Sequence, residues 1–194
     1  MRNKCVSSIN LTPVYGLNYS KGYIGFEGKD DSLFAKGITY FSRWEKMSYI
    51  ATHHCFIVID AHNCIEATAD GKVKETPLET YFQPNRSVFF RKPVGLTELI
   101  AETIVQTARN EVGKEYDFKA ILVQALSGSL AGRLLRMQQV DSIARILDSP
   151  NKWVCSELCA HALEIAFNRD LFSQASNSLS PQELFESNVF EDWK

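Results

Sequence analysis

Residues His54–Ala69 read HCFIVIDAHNCIEATA, and the fold class turns on how this stretch is read. The run His54–Ile59 is short, apolar and rich in β-branched side chains. Asp60–Asn63 carries turn-forming residues, and Cys64–Ala69 is apolar again. Two such runs across a short polar break predict a β-hairpin. A turn there brings Glu66 onto the strand beside the one that begins at His54. A carboxylate inside an apolar run is costly to bury alone, so Glu66 is expected to have a partner.

Neighbouring segments extend the pattern on both sides. KGYIGFEG, Lys21–Gly28, predicts a short strand closed by Gly28, and DDSLFAKGITYFSRW after it predicts a helix with Leu33, Phe34, Ile38 and Phe41 on one side. SVFFRKP predicts a strand stopped by Pro93. GLTELIAETIVQTARNEVG predicts a long helix with a stripe of Ile100, Ile104, Ala108 and Val112, Thr97 as its cap and Gly113 past its end. Ser180-Pro181-Gln182-Glu183 has capping-box spacing with proline at the first helical position, so a short helix should close the chain. Strands early and helices late make an α+β fold.

With 194 residues, 45% of them hydrophobic, the chain can bury one substantial core, and a single domain over 1–194 is expected. The net charge of -2, with basic residues spread evenly, leaves no footprint for nucleic acid. The N-terminal segment has no apolar core of signal-peptide length and no run is long enough to span a membrane, so a cytoplasmic location is expected. Five cysteines, Cys5, Cys55, Cys64, Cys155 and Cys159, are an odd number without a compact framework, which argues against a disulfide scaffold.

One of these thiols stands apart. In WVCSELCAHALEIAF, Trp153–Phe167, the residues Cys155, Leu158, Cys159, Ala162 and Ala166 recur at helical steps. Cys155 is nearest the N-terminus, where unpaired backbone N–H groups favour a thiolate and can hold an oxyanion. Cysteine also packs well as a small core residue. A nucleophile needs a base, and there are four histidines: His53, His54, His62 and His161. His161 sits on another face of the helix and His62 in the predicted turn. His54 opens a strand that could hold an imidazole in a fixed orientation, with His53 expected on the opposite face. A zinc site built from HHC (His53, His54 and Cys55) and HNCIE (His62, Cys64 and Glu66) is disfavoured, because there is no CxxC or HExxH spacing and a strand sends alternate side chains to opposite faces.

Several segments, in order, resemble the circularly permuted papain-like cysteine hydrolases of the NlpC superfamily (the YiiX-like group). They are THHCFIV, CIEATADGKVKETPLETYF, VGKEYD, WVCSEL and the terminal SPQELF. The resemblance runs from about Phe26 to Phe185. It implies an antiparallel sheet or small barrel packed against helices, with Cys155 as nucleophile, His54 as general base and Glu66 orienting it. It also gives weaker roles on the substrate or oxyanion side to Tyr116 and Ser156, and implies no metal or other cofactor.

The implied chemistry is hydrolysis of an amide or ester through a thioacyl-enzyme. The substrate would be a peptide, a cell-wall amide or an acyl or lipid group. Acyl transfer at the same site, or a non-catalytic binding module on the same fold, are the alternatives. The amphipathic segment 127–148 reads as a helical lid or a surface helix, and its apolar stretch Leu130–Leu147 leans towards an acyl or lipid-like substrate. Nothing in the sequence bears on oligomeric state.

Overall fold

The computed structural model describes residues 13–28, 52–68, 71–83, 86–116, 152–172 and 179–192. The helix expected after Gly28 and the segment 127–148 lie outside the described residues. Five strands form one antiparallel sheet: β1 (Ile24–Gly28), β2 (Thr52–Val58), β3 (Asn63–Ala67), β4 (Val73–Pro77) and β5 (Ser87–Arg91), in the order β4-β3-β2-β1-β5. Three helices accompany them, α1 (Glu98–Asn110), α2 (Cys155–Phe167) and α3 (Pro181–Glu186), with a two-residue parallel pair of β6 (Glu115–Tyr116) and β7 (Lys152–Trp153). The fold is α+β, with an antiparallel sheet packed against helices.

The predicted hairpin is β2–β3. Asp60 closes it, its Oδ1 accepting from the His62 and Asn63 amides at 2.7 and 2.8 Å. This is the side-chain turn that aspartate forms two residues ahead. The sequence reading missed β4, whose polar Lys74 and Glu75 interrupt the apolar pattern; it is specified by pairing with all five residues of β3. Apolar side chains cover both faces of the sheet, which is why β2 reads as an unbroken apolar run. On one face Ile24, Phe26, Cys55, Ile57 and Ile65 meet α1, α2 and α3 through Ile104, Leu158, Leu163 and Leu184. On the other, Phe56, Val58, Cys64 and Val88 meet Tyr19, Leu78 and Tyr81.

The helices begin and end largely as their sequences predict. Thr97 accepts from the Ile100 amide, and Ser180 and Glu183 exchange side-chain-to-amide bonds across Pro181. One expectation fails: Val112 is 44% exposed, because α1 reaches its C-cap at Glu111 and the buried stripe is Ala101, Ile104, Val105 and Ala108. Helix α2 is buried more fully than a single stripe, with Ser156, Ala160 and Leu163 also inside. Arg91 ties α3 and the segment after it to β5, donating to the backbone carbonyls of Phe185 and, at 2.9 Å, Glu191.

Strand β2 is irregular along both of its edges. Its ladder to β3 holds only Ile57 opposite Ile65 and Val58 opposite Cys64, so β2 parts from β3 towards its Thr52 end. Its ladder to β1 jumps from His54 opposite Glu27 to Thr52 opposite Gly28, leaving His53 as the extra residue of a bulge. Among the described residues, no helix is long and apolar enough to cross a membrane.

Gly25 is required where β1 passes under Phe56. A Cβ at Gly25 would lie 2.1 Å from the Phe56 ring, and that ring is stacked on Tyr81 with centroids 4.2 Å apart. Gly25→Ala is therefore expected to destabilise the fold by about 1–3 kcal/mol, the usual range for overpacking a filled core. A fall in the urea midpoint at constant m-value checks this.

Candidate active site

Where β2 leaves β3, the first residue of α2 takes the vacated place. Cys155 comes close enough to His54 and Cys55 for each to act on its thiol. On the far side of the imidazole, Nε2 of His54 lies 2.6 Å from Oε2 of Glu66. That leaves Nδ1 for the sulfur. Strand parity accounts for the meeting: with Ile57 opposite Ile65, both His54 and Glu66 stand on the face that carries Phe56 and Cys64. The three residues singled out in the sequence are thus brought together, His54 hydrogen-bonded to Glu66 and Cys155 beside it. Cys155 is 3% exposed and Glu66 likewise 3%, whereas the His54 side chain keeps 15% of its surface.

The electrostatics depend on this arrangement. Burial alone would push His54 down, but the hydrogen bond to Cys155 and then that to Glu66 outweigh it and hold the imidazole well above its ordinary value. The strongest influence on Cys155 is the neighbouring Cys55 side chain. It overcomes burial and, with His54, takes the Cys155 thiol well below its ordinary value. Cys55 itself is pushed up, first by burial and then by Cys155 and Cys159, so it remains a thiol and a donor. Burial raises Glu66, yet the His54 hydrogen bond and charge bring its carboxyl down to about 2. Both directions favour a thiolate beside an imidazolium, with the Glu66 carboxylate behind it.

The start of α2 breaks a local rule to serve this site. The N-cap is Val154, which has no side-chain acceptor, so its side chain covers none of the first-turn amides. Such a cap is about 1 kcal/mol worse than serine or aspartate. Burial of Leu158 and Leu163, each contributing about 1.5–3 kcal/mol, holds the helix regardless. The backbone N–H groups at Cys155 and Ser156 belong to the first turn and have no acceptor within the helix, as at any helix start. Ser156 contributes no hydroxyl there: its Oγ donates to the Leu179 carbonyl at 2.5 Å and ties α2 to the approach to α3. Tyr116 lies in β6 with its backbone paired to Trp153, just ahead of Cys155.

The bulge alters the expectation for His53. Instead of occupying the opposite face in simple alternation, it comes with Nε2 3.8 Å from Oε2 of Glu27, the residue registered opposite His54. Glu27 in turn accepts Arg86 at 2.8 Å. Of the two adjacent histidines, His54 joins Cys155 and Glu66, and His53 joins the Glu27 cluster. His62 is exposed in the hairpin turn, and His161 is half-buried on α2. Among the described residues no group of three or more His, Cys, Asp or Glu side chains is arranged to hold a metal ion. The sequence reading missed Cys55 and Tyr81, whose hydroxyl donates to the Oε2 of Glu66 that also meets His54. Cys55 was within reach, since it precedes Phe56 on the helix-facing side of β2; Tyr81 was not, because it comes after the strand the pattern concealed.

No protein-family model matches the chain, and no curated protein sequence does either.

The shifts predict a pH profile with a definite sign. Alkylation of Cys155, tracked by peptide mass mapping against Cys55, Cys64 and Cys159, should be fast below pH ~7, where a free thiol of pKa ~8.5 is slow. In Glu66→Gln the imidazolium loses its carboxylate, so the acid limb moves up and the alkaline limb, where His54 loses its proton, moves down. His54→Ala should abolish the fast reaction.

Proposed function

We propose that the chain is a cysteine-dependent hydrolase of amide or ester bonds, built as a single circularly permuted papain-like domain of the NlpC superfamily. The observation that carries this reading is the continuous contact from Glu66 through His54 to Cys155 at the first residue of a helix whose N-cap has no capping side chain. A core-filling cysteine has no need of a buried imidazole–carboxylate pair on one side and open amide donors on the other. The order of the parts, histidine and carboxylate early and cysteine late, accords with the permuted arrangement.

In this mechanism the Cys155 thiolate attacks the substrate carbonyl carbon, and its π electrons move to oxygen. The oxyanion is held by N–H groups of the first turn of α2. His54, resting as the imidazolium, donates its Nδ1 proton to the leaving amine or alkoxide as the C–N or C–O bond breaks, and a thioester remains on Cys155. Neutral His54 then takes a proton from water, which attacks the thioester and releases the acid and the thiolate. Glu66 keeps its place throughout, holding Nε2–H and stabilising the charged imidazole while it lasts. An amine or alcohol in place of water would give acyl transfer by the same steps.

The test is to incubate the protein with p-nitrophenyl acyl esters and with acyl-dipeptide amides, quench in acid and map acylated peptides by mass. We expect an acyl adduct on Cys155, released by hydroxylamine, and turnover that persists in chelator. Cys155→Ala and His54→Ala should each lower turnover by at least ~10³-fold. Undiminished turnover in Cys155→Ala, or acylation of a different cysteine, would sink the reading.

A further inference from the structure

Glu66 does not meet His54 alone. The Tyr81 hydroxyl donates to the same oxygen, Oε2, that lies 2.6 Å from His54 Nε2. A carboxylate oxygen has two lone-pair directions and can accept both donors at once. Tyr81 is itself immobilised. It is 3% exposed, its amide closes the 3₁₀ turn at Leu78–Thr80 by bonding to the Leu78 carbonyl at 2.9 Å, and its ring lies on Phe56 at 4.2 Å with planes 24° apart. Arg86 approaches the ring at 5.6 Å from its centroid while bound to Glu27. Every group that fixes the ring belongs to the sheet or to the turns after β4. The hydroxyl is therefore a rigid reference point for a carboxylate that would otherwise be free to rotate about its last bond.

We propose that Tyr81 is a positioning residue for the Cys155–His54 pair, acting through Glu66 by pinning the carboxylate oxygen that selects the Nε2–H tautomer of His54 and turns Nδ1 to the sulfur. This rests on the cysteine-hydrolase reading above and extends it to a residue outside the three that perform the chemistry. The phenol is suited to the task. Burial first, and the Glu66 charge second, push it far above its ordinary value, so it stays a donor through the whole working range. A carboxylate held only by His54 would lose orientation whenever the imidazole moved towards a leaving group. Tyr81 holds it from the opposite side, so the imidazole returns to the same place after each proton transfer.

Several titratable or charged groups face this pair. They are Cys64 beside Glu66 on β3, Lys74 registered opposite Glu66 on β4, and Cys55 and His53 on β2. Glu27 on β1, Arg86 ahead of β5 and Cys159 one turn along α2 complete the set. His53 is the second imidazole, so the profile is repeated in His53→Asn to keep its titration from being taken for that of the pair.

The experiment is the pH dependence of iodoacetamide alkylation at Cys155, mapped by peptide mass in the full chain. Wild type, Tyr81→Phe, Glu66→Gln and the double variant are compared. Tyr81→Phe keeps the ring and removes only the hydroxyl. We expect the acid-side midpoint to move up by about 0.5–1 pH unit and the rate at pH 6 to fall about three- to tenfold. The double variant should match Glu66→Gln alone, since Tyr81 works only through that carboxylate. A folded Tyr81→Phe with the wild-type midpoint overturns the proposal, and so does a double variant displaced beyond Glu66→Gln. If Tyr81→Phe does not fold, Phe56→Leu, which keeps the hydroxyl but removes the ring stacked on it, is profiled instead: an acid-side midpoint moved up supports the proposal and a wild-type midpoint overturns it. If wild-type Cys155 is slow, or indifferent to His54→Ala, the cysteine-hydrolase reading itself fails, an outcome distinct from a normal Cys155 with an indifferent Tyr81.

Discussion

A carboxylate as deeply buried as Glu66 is tolerable only if its charge is answered, and the groups around it meet that requirement. His54 answers it from one side at 2.6 Å and Tyr81 from another, and the result is a carboxyl group held down to about 2 in spite of its burial. With the imidazole charged and fixed, its second nitrogen has something to offer a neighbouring sulfur. Cys55 lowers the Cys155 thiol most, and the further lowering by His54 is the far end of a chain that begins with a buried negative charge. Removing any link leaves an uncompensated group in an apolar surround.

Strand geometry supplies the room for that chain. A sheet with β2 and β3 zipped along their full length would present Cys55 and its neighbours to β3 and leave no opening for a helix end. The ladder instead stops after Ile57 and Val58, and the start of α2 meets β2 at His54 and Cys55. The bulge at His53 works at the same place, pairing that histidine with Glu27 and leaving His54 as the one of the two that meets Glu66. Two departures from regular β structure therefore separate two adjacent histidines into two different environments. Irregular strands at a site are common for this reason, since a regular ladder satisfies its own backbone and leaves nothing for chemistry.

Stability and reactivity are divided between different parts of α2. Its middle is anchored by Leu158, Ala162 and Leu163 in the main core, and its N-terminus is left without a capping side chain by Val154. A helix held by packing can dispense with its cap, so amide donors and the positive end of the helix dipole remain directed at Cys155. The second core, on the other face of the sheet, has a similar double use. Phe56 and Tyr81 fill it, and the same stacking fixes the hydroxyl on Glu66. Gly25 belongs to this arrangement, since only a residue without a side chain lets the Phe56 ring lie where Tyr81 needs it.

Local facts were legible in the residues themselves. The apolar runs around Asp60–Asn63 announced the β2–β3 hairpin, and Thr97 and Ser180 marked two helix starts. The turn also put Glu66 on the strand beside His54, although the shared face followed only from the observed register of Ile57 opposite Ile65. These are short-range matters, in which residues a few positions apart constrain each other through turn chemistry and side-chain period. The rest awaited the folded chain. Cys155 reaches His54 across about a hundred positions of chain, and no spacing rule spans that distance. β4 was hidden because its pairing with β3, and not its own polar sequence, makes it a strand. Cys55 and Tyr81 looked like filler, yet one lies against the Cys155 thiol and the other donates to the Glu66 carboxylate. A donor's role depends on which acceptor is packed against it, and that is a property of the fold as a whole.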